Sequence, residues 1–197
     1  LEIPYAIDVA ALREGMPAPT RSTSTQLNVL VVAKLADREG VDVVIRALEN
    51  RPDLRLTVVG DGPNRLALQE LASKLGVHAT FAGYVPFADL ALFYAAADVF
   101  VHAANAEPWG VSVQEAMGTG LPVLATSVVG SARALIPGDA TQWSFEPGDH
   151  RRLARLLVGL QSPSVREAAG QQNRAAATAI APQKTAQALL EFLCDQV

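Results

Sequence analysis

Short, continuously apolar runs recur along this chain, with segments of helical spacing between them. Asn28-Val-Leu-Val-Val-Ala33, Leu54-Arg-Leu-Thr-Val-Val59, Ala79-Thr-Phe-Ala82, Asp98-Val-Phe-Val-His102 and Val123-Leu-Ala-Thr126 read as strands, and Thr141 to Phe145 reads as a sixth. A strand with no polar face has to be covered on both faces, which points to a parallel sheet in an α/β fold. Helices are expected from about Val41 to Leu48, from a cap at Asn64 to Leu75, from Ala88 to Ala96 and from Ser112 to Gly118. Others are expected to start near Arg151, Ser164 and Gln183, the last forming a C-terminal helix over 183–197. Residues 9–26, rich in Pro, Ser and Thr, read as a loop. The fold class is thus α/β, a Rossmann-like parallel sheet with helices on both faces, and 1–197 reads as a single domain. Ligands of such sheets bind beyond the carboxyl ends of the strands. The loops after Ala33, Val59, Ala82 and Ala103 are therefore where a site belongs.

The last of these loops is the most informative. In Glu107-Pro-Trp-Gly-Val-Ser-Val-Gln-Glu115, two carboxylates bracket Gly110 at the start of a helix. Gly110 lets backbone approach a ligand without a Cβ in the way. The amides of Val111, Ser112 and Val113 are then expected as unpaired donors, a cradle for phosphate. Glu115, about one turn further on, would repel a phosphate unless it accepted hydrogen bonds from hydroxyls. Phosphate and sugar hydroxyls together outline a nucleotide-sugar. Lys34, just after the first strand, is placed to reach a diphosphate, with Arg38 four residues on.

Other chemistries lack support. A formal charge of −4 without a basic tract argues against nucleic acid as a partner. The three histidines and one cysteine show no metal-ligand spacing, so no metal is expected. His102 ends a strand that points toward the site, but a packed histidine is the plainer reading. Gly60-Asp-Gly-Pro63 is not a dinucleotide fingerprint, and no Gly-x-Ser-x-Gly elbow occurs. One cysteine, Cys194, excludes an internal disulfide and suits a reducing compartment.

The pattern Glu107-x-Trp-Gly-x-x-x-x-Glu115-Ala-Met-x-x-Gly-x-Pro-Val resembles the E-x7-E signature of retaining glycosyltransferases of the glycogen-synthase and mannosyltransferase type. From about Leu27 to the final helix the chain is similar to their C-terminal, donor-binding half. The resemblance implies the GT-B arrangement, two Rossmann-like domains facing a cleft, with a UDP- or GDP-sugar as donor and no other cofactor. It implies that Glu107 lies beside the transferred sugar and that Glu115 accepts from the ribose. Phe81-Ala-Gly-Tyr-Val85 resembles "F-x-G-x-V", which assigns Tyr84 and Val85 to the nucleobase pocket. Gly60 resembles the first glycine of "V-G-x-G-P", with tight strand-to-helix geometry as an equal alternative to ligand contact.

Three departures stand out. Where the family usually has Gly-Arg-Leu-x-x-x-Lys-Gly, Lys34 replaces the Arg and Glu39 replaces the Lys, leaving Arg38 to take over the cationic role. Val128-Val-Gly-Ser replaces a Gly-Gly pair, and Arg133 stands where Glu is common, both expected at the rim of the site. The opening Leu1-Glu-Ile-Pro-Tyr-Ala-Ile-Asp8 resembles "I-P-N-G-I-D", so the chain is expected to be part of a longer protein whose N-terminal domain binds the acceptor. That enzyme is expected in the cytoplasm or at the inner face of the membrane. Alternatives on the same fold are a nucleotide-sugar epimerase, a phosphorylase, or a degenerate nucleotide-binding module.

Overall fold

The computed structural model describes residues 7–14, 16–17 and 26–194, with the Ala11 side chain excepted. The expectations for the opening residues 1–6, for 18–25 and for the helix end at 195–197 lie outside the described residues. Six parallel strands form one sheet: β1 (Leu27–Val32), β2 (Leu54–Val59), β3 (Ala79–Gly83), β4 (Val99–His102), β5 (Val123–Thr126) and β6 (Ser144–Phe145). Their spatial order is β3-β2-β1-β4-β5-β6. The order reverses between β1 and β4, which pair through Val29–Val99 and Leu30–Phe100. At such a reversal consecutive connections leave on opposite faces and a crevice opens between them.

Burial follows from double coverage. Leu27, Val29, Val31, Val99 and Val101 belong to one core, with Val44, Ile45, Leu153 and Leu157. The helices on that face are α2 (Val41–Ala47), α3 (Arg65–Lys74) and α7 (His150–Gly159). Leu30 and Phe100 point the other way, into a second core with Tyr94, Val113 and Met117. There lie α1 (Val9–Glu14), α4 (Phe87–Ala96), α5 (Val111–Gly118), α6 (Gly130–Leu135) and α8 (Pro163–Ala179). The terminal helix α9 spans Pro182–Cys194. Among the described residues, no helix is long and apolar enough to cross a membrane.

Three local expectations are corrected, and one helix was not foreseen. The stretch read as a loop contains α1, because Val9 and Leu12 bury their side chains against the second core. Asn64 occupies the N-cap of α3 but does not cap it; its Nδ2 donates to Asp37 Oδ1 at 2.5 Å, a tertiary bond that replaces the local one. Residues 140–142 form a 3-10 turn capped by Asp139, so the sixth strand shrinks to two residues. Helix α6 was not expected, since a six-residue segment opening on Gly carries almost no periodic signal.

One buried bond ties the last part of the sequence to the sheet. Asn173 of α8 is 4% exposed, and its Nδ2 donates to the carbonyl of Leu121, in the turn between α5 and β5, at 2.9 Å. Asn173→Ala leaves that carbonyl without this donor, and a destabilisation of about 1–3 kcal/mol is expected. Urea denaturation checks it; an unchanged midpoint would mean that α8 is not anchored through this bond.

Candidate functional site

Two cavities open at the carboxyl ends of the strands. One, of about 400 Å³, is lined by Arg38, Glu39, His102, Glu107, Trp109 and the α5 start at Gly110–Ser112. The other, of about 440 Å³, is lined by Gly60, Asp61, Tyr84, Val85 and Leu90. Both also count Val32, Ala33 and Lys34 in their walls, so they adjoin at the end of β1 and are together called the cleft. Of the residues expected to meet the donor, Glu115 and Val113 line neither cavity, and neither do the residues expected at the rim, Val128–Ser131 and Arg133.

The cleft exists because the β1–α2 and β4–α5 loops are pressed together. Gly40 has φ of +61°, and a Cβ there would sit 2.0 Å from the carbonyl oxygen of Ala103. The Asn105 amide donates to the Arg38 carbonyl at 2.7 Å, and Asn105 Nδ2 donates to the Asp37 carbonyl at 3.0 Å. This contact carries Glu39 into the cleft floor, where it is 6% exposed. Arg38 Nε donates to Glu39 Oε1 at 2.9 Å, while 65% of the Arg38 side chain stays exposed. Its pKa is raised, first by that hydrogen bond. Arg38 thus faces the cleft already partnered, whereas Lys34 is exposed and makes no ion pair among the described residues.

Beside Glu39 stands His102, 4% exposed, its ring stacked on Phe100. Its Nε2 is 3.9 Å from Glu107 Oε2 and has no hydrogen-bond partner. A buried polar atom left unpaired costs about 1–3 kcal/mol. Burial lowers the His102 pKa, with Glu107 and Glu39 pulling the other way. Glu39, His102 and Glu107 each bring a ligating atom within 4.8 Å of one another. The expectation of no ligating cluster rested on spacing along the chain, and the fold gathers this one from the β1–α2 connection, the end of β4 and the loop that follows it.

The α5 start is rigid. Gly110 has φ of +93°, and an added Cβ would meet Val129, Ser131 and Glu107 side-chain atoms at 3.0–3.3 Å. The Ser131 amide donates to the Trp109 carbonyl at 2.8 Å, and Ser131 Oγ to the Gly110 carbonyl at 2.9 Å. The departure at Val128–Ser131 therefore forms the backing of the motif. Arg133 lines a separate cavity with Trp143 and is not at this rim, because α6 turns it away. The Trp109 amide donates to Glu107 Oε1 at 3.1 Å, leaving Oε2 toward His102. Of the three amides expected to be unpaired, Val113 is not: it donates to the Gly110 carbonyl at 3.1 Å and closes the first turn. The Gly60 amide is likewise committed, donating to the Gly83 carbonyl at 2.7 Å.

Glu115 is 8% exposed, and Tyr94 OH donates to its Oε2 at 2.8 Å. Burial raises the Glu115 pKa, and the Tyr94 bond offsets part of that rise. Tyr84 is 78% exposed, with its ring free at the other end of the cleft.

Over residues 13–175 the chain matches the family described as Glycosyl transferases group 1. The chain belongs to that family. A GDP-mannose-dependent monoacylated alpha-(1-6)-phosphatidylinositol monomannoside mannosyltransferase of Corynebacterium glutamicum is 29% identical over 185 residues, covering 85% of this chain and 48% of that protein. Sulfoquinovosyl transferase SQD2 of Arabidopsis thaliana is 31% identical over 150 residues, covering 74% of this chain and 29% of that protein. The chain spans about half, or less, of the length of these curated relatives. The solved catalytic domain of cholesterol-alpha-glucosyltransferase from Helicobacter pylori has a TM-score of 0.71 at 25% identity, over 77% of this chain and 97% of that one. Anabaena Alr3699/HepE in complex with UDP and glucose shares the fold with a TM-score of 0.81 at 22% identity, over 98% of this chain and 56% of that one.

For a group 1 glycosyl transferase, two residues of this site, Tyr94 and Asn105, went unmarked in the sequence, and Trp109 and Ser131 were marked only as motif positions. Each of the four acts through a bond that only packing creates. The Tyr94–Glu115 bond makes a pH prediction. Glu115 holds its proton more tightly in the folded chain, so its contribution is fully present below the unfolded glutamate pKa of about 4.3 and is lost as pH rises through the raised folded value. Glu115→Gln should flatten that decline. Tyr94→Phe, which removes the bond favouring the ionised form, should extend it to higher pH. Denaturation midpoints stepped from about pH 4 to 8 check both; identical profiles for wild type and Glu115→Gln would refute them.

Proposed function

We propose that the cleft holds a UDP- or GDP-sugar, and that this chain is the donor-binding part of a retaining glycosyltransferase. In that reading a second domain faces the cleft and presents an acceptor hydroxyl. The observation that carries the reading is the order of groups along the two adjoining cavities. An exposed aromatic ring and an apolar wall stand at one end, a helix start with a carboxylate at the other, and Lys34 between them. This order suits base, diphosphate and sugar in turn. Membership in group 1 and the GDP-mannose dependence in the name of the corynebacterial relative point the same way.

Each part has its task. Tyr84 and Val85 form the base pocket, with Gly60 in its wall. Lys34, the Val111 and Ser112 amides, and Arg38 as far as Glu39 releases it, take the charge that develops on the departing diphosphate. Glu107 sits beside the sugar, its carboxylate oriented by the Trp109 amide. Glu115 lines neither cavity, so in this reading it meets the ribose only by turning the oxygen that Tyr94 does not hold toward the cleft.

Titration calorimetry of the chain with UDP, GDP and the corresponding nucleosides tests this reading. Lys34→Ala should remove one charge-assisted hydrogen bond and weaken diphosphate binding by about tenfold or more, corresponding to about 1.5–3 kcal/mol. Nucleoside binding should not change, and Lys34→Arg should retain most of the affinity. Absence of binding by both diphosphates, or equal losses for diphosphate and nucleoside, would overturn the assignment.

A further inference from the structure

The two carboxylates of the cleft floor pose an electrostatic problem. Glu39 is 6% exposed, and Glu107 lies in the same cavity wall, so an anionic ligand meets two negative groups. Arg38 answers only one of them, because its Nε is already donated to Glu39. Between the carboxylates is an imidazole nitrogen with no hydrogen-bond partner, on a side chain 4% exposed, in the wall of the same cavity. Neither a packed histidine nor an ion pair explains this nitrogen. It is buried without an acceptor or donor, and the nearest carboxylate oxygen, at 3.9 Å, is beyond hydrogen-bonding reach.

We infer that Glu39, His102 and Glu107 form a divalent-cation site in the floor of the cleft. One imidazole nitrogen and two carboxylate oxygens form a mixed donor set that suits Zn²⁺ through its imidazole and the harder Mn²⁺ through its carboxylates; Ca²⁺ and Mg²⁺ prefer all-oxygen surroundings. The ligating atoms lie within 4.8 Å of one another. Bonds of roughly 2.0–2.2 Å put such atoms about 3–3.5 Å apart, so the cluster has to contract by less than the reach of one glutamate rotamer change. The supporting bonds are in place. The Trp109 amide fixes Glu107 Oε1, and Arg38 holds Glu39 Oε1, leaving one oxygen of each carboxylate for the ion. Three protein ligands leave positions open to water or to a diphosphate oxygen. The ion would replace the missing fixed cation and turn a repulsive floor into an attractive one. That last role rests on the donor-binding reading; the binding of the ion does not.

The probe is Mn²⁺ added to the chain without nucleotide and followed by electron paramagnetic resonance, with Zn²⁺ in a competitive chelator titration. One saturable Mn²⁺ site is expected, with affinity at least about tenfold lower in Glu39→Gln and in His102→Gln. Among the three histidines of the chain, bound Mn²⁺ should broaden the His102 ring resonances first, a readout that needs no variant. Glu39→Lys should lose Mn²⁺ while binding UDP without metal. If the wild type leaves both ions free, if either Gln variant folds and binds unchanged, or if His78 or His150 broadens first, the site is refuted. Mn²⁺ binding without UDP binding would refute the donor reading and keep the site; UDP binding with neither ion bound would do the reverse.

Discussion

The approach of two backbone segments at the reversal of strand order organises this protein. The chain leaves β1 toward one face of the sheet and β4 toward the other, and the two loops meet where Gly40 lies against the Ala103 carbonyl. A side chain at position 40 would fill that gap. The bonds from Asn105 to Arg38 and Asp37 then close the contact. Residues far apart in sequence become neighbours here: Lys34, Arg38 and Glu39 from one loop, His102, Glu107 and the α5 start from the other. Ligand sites gather at such reversals because strand ends, helix starts and opposed loops converge there with their backbone groups unspent.

The groups of the site are held in place by polar bonds to neighbouring backbone and side chains. Ser131 holds the carbonyls of Trp109 and Gly110 on the motif loop through its amide and hydroxyl, Trp109 holds Glu107, and Tyr94 holds Glu115. These bonds orient carboxylates that would otherwise sample several rotamers, and an oriented carboxylate loses less entropy when a ligand arrives. The arrangement has an energetic consequence. Glu115 is buried with one phenolic partner, and its raised pKa shows that desolvation outweighs the hydrogen bond. Burying this carboxyl therefore costs stability at pH values where it ionises.

Charge is distributed unevenly along the cleft. The end with Tyr84 and Val85 is apolar and open, and Lys34, which makes no ion pair among the described residues, lies at the middle. The floor at the other end concentrates Glu39, Glu107 and a histidine whose pKa burial lowers. Any anionic ligand must be drawn past this floor. The amides of the α5 start, Lys34 and a cation held by the floor itself are the groups able to do it.

The sequence alone determined the layered architecture, because continuous apolar runs such as Asn28–Ala33 and Val123–Thr126 have no polar face and must be covered twice. It also marked the cleft, since Glu107, Gly110 and Glu115 sit at fixed spacing where a strand hands over to a helix. Elements with weak periodicity were not legible: α1 is six residues held by Val9 and Leu12, and α6 opens on a glycine. The inward turn of Glu115 toward Tyr94, the pairing of Arg38 with Glu39, and the meeting of Glu39, His102 and Glu107 were decided by the tertiary structure. Sequence patterns report local period and turn chemistry, whereas these contacts join residues up to 68 positions apart through loops whose approach is set by sheet order and a single missing Cβ.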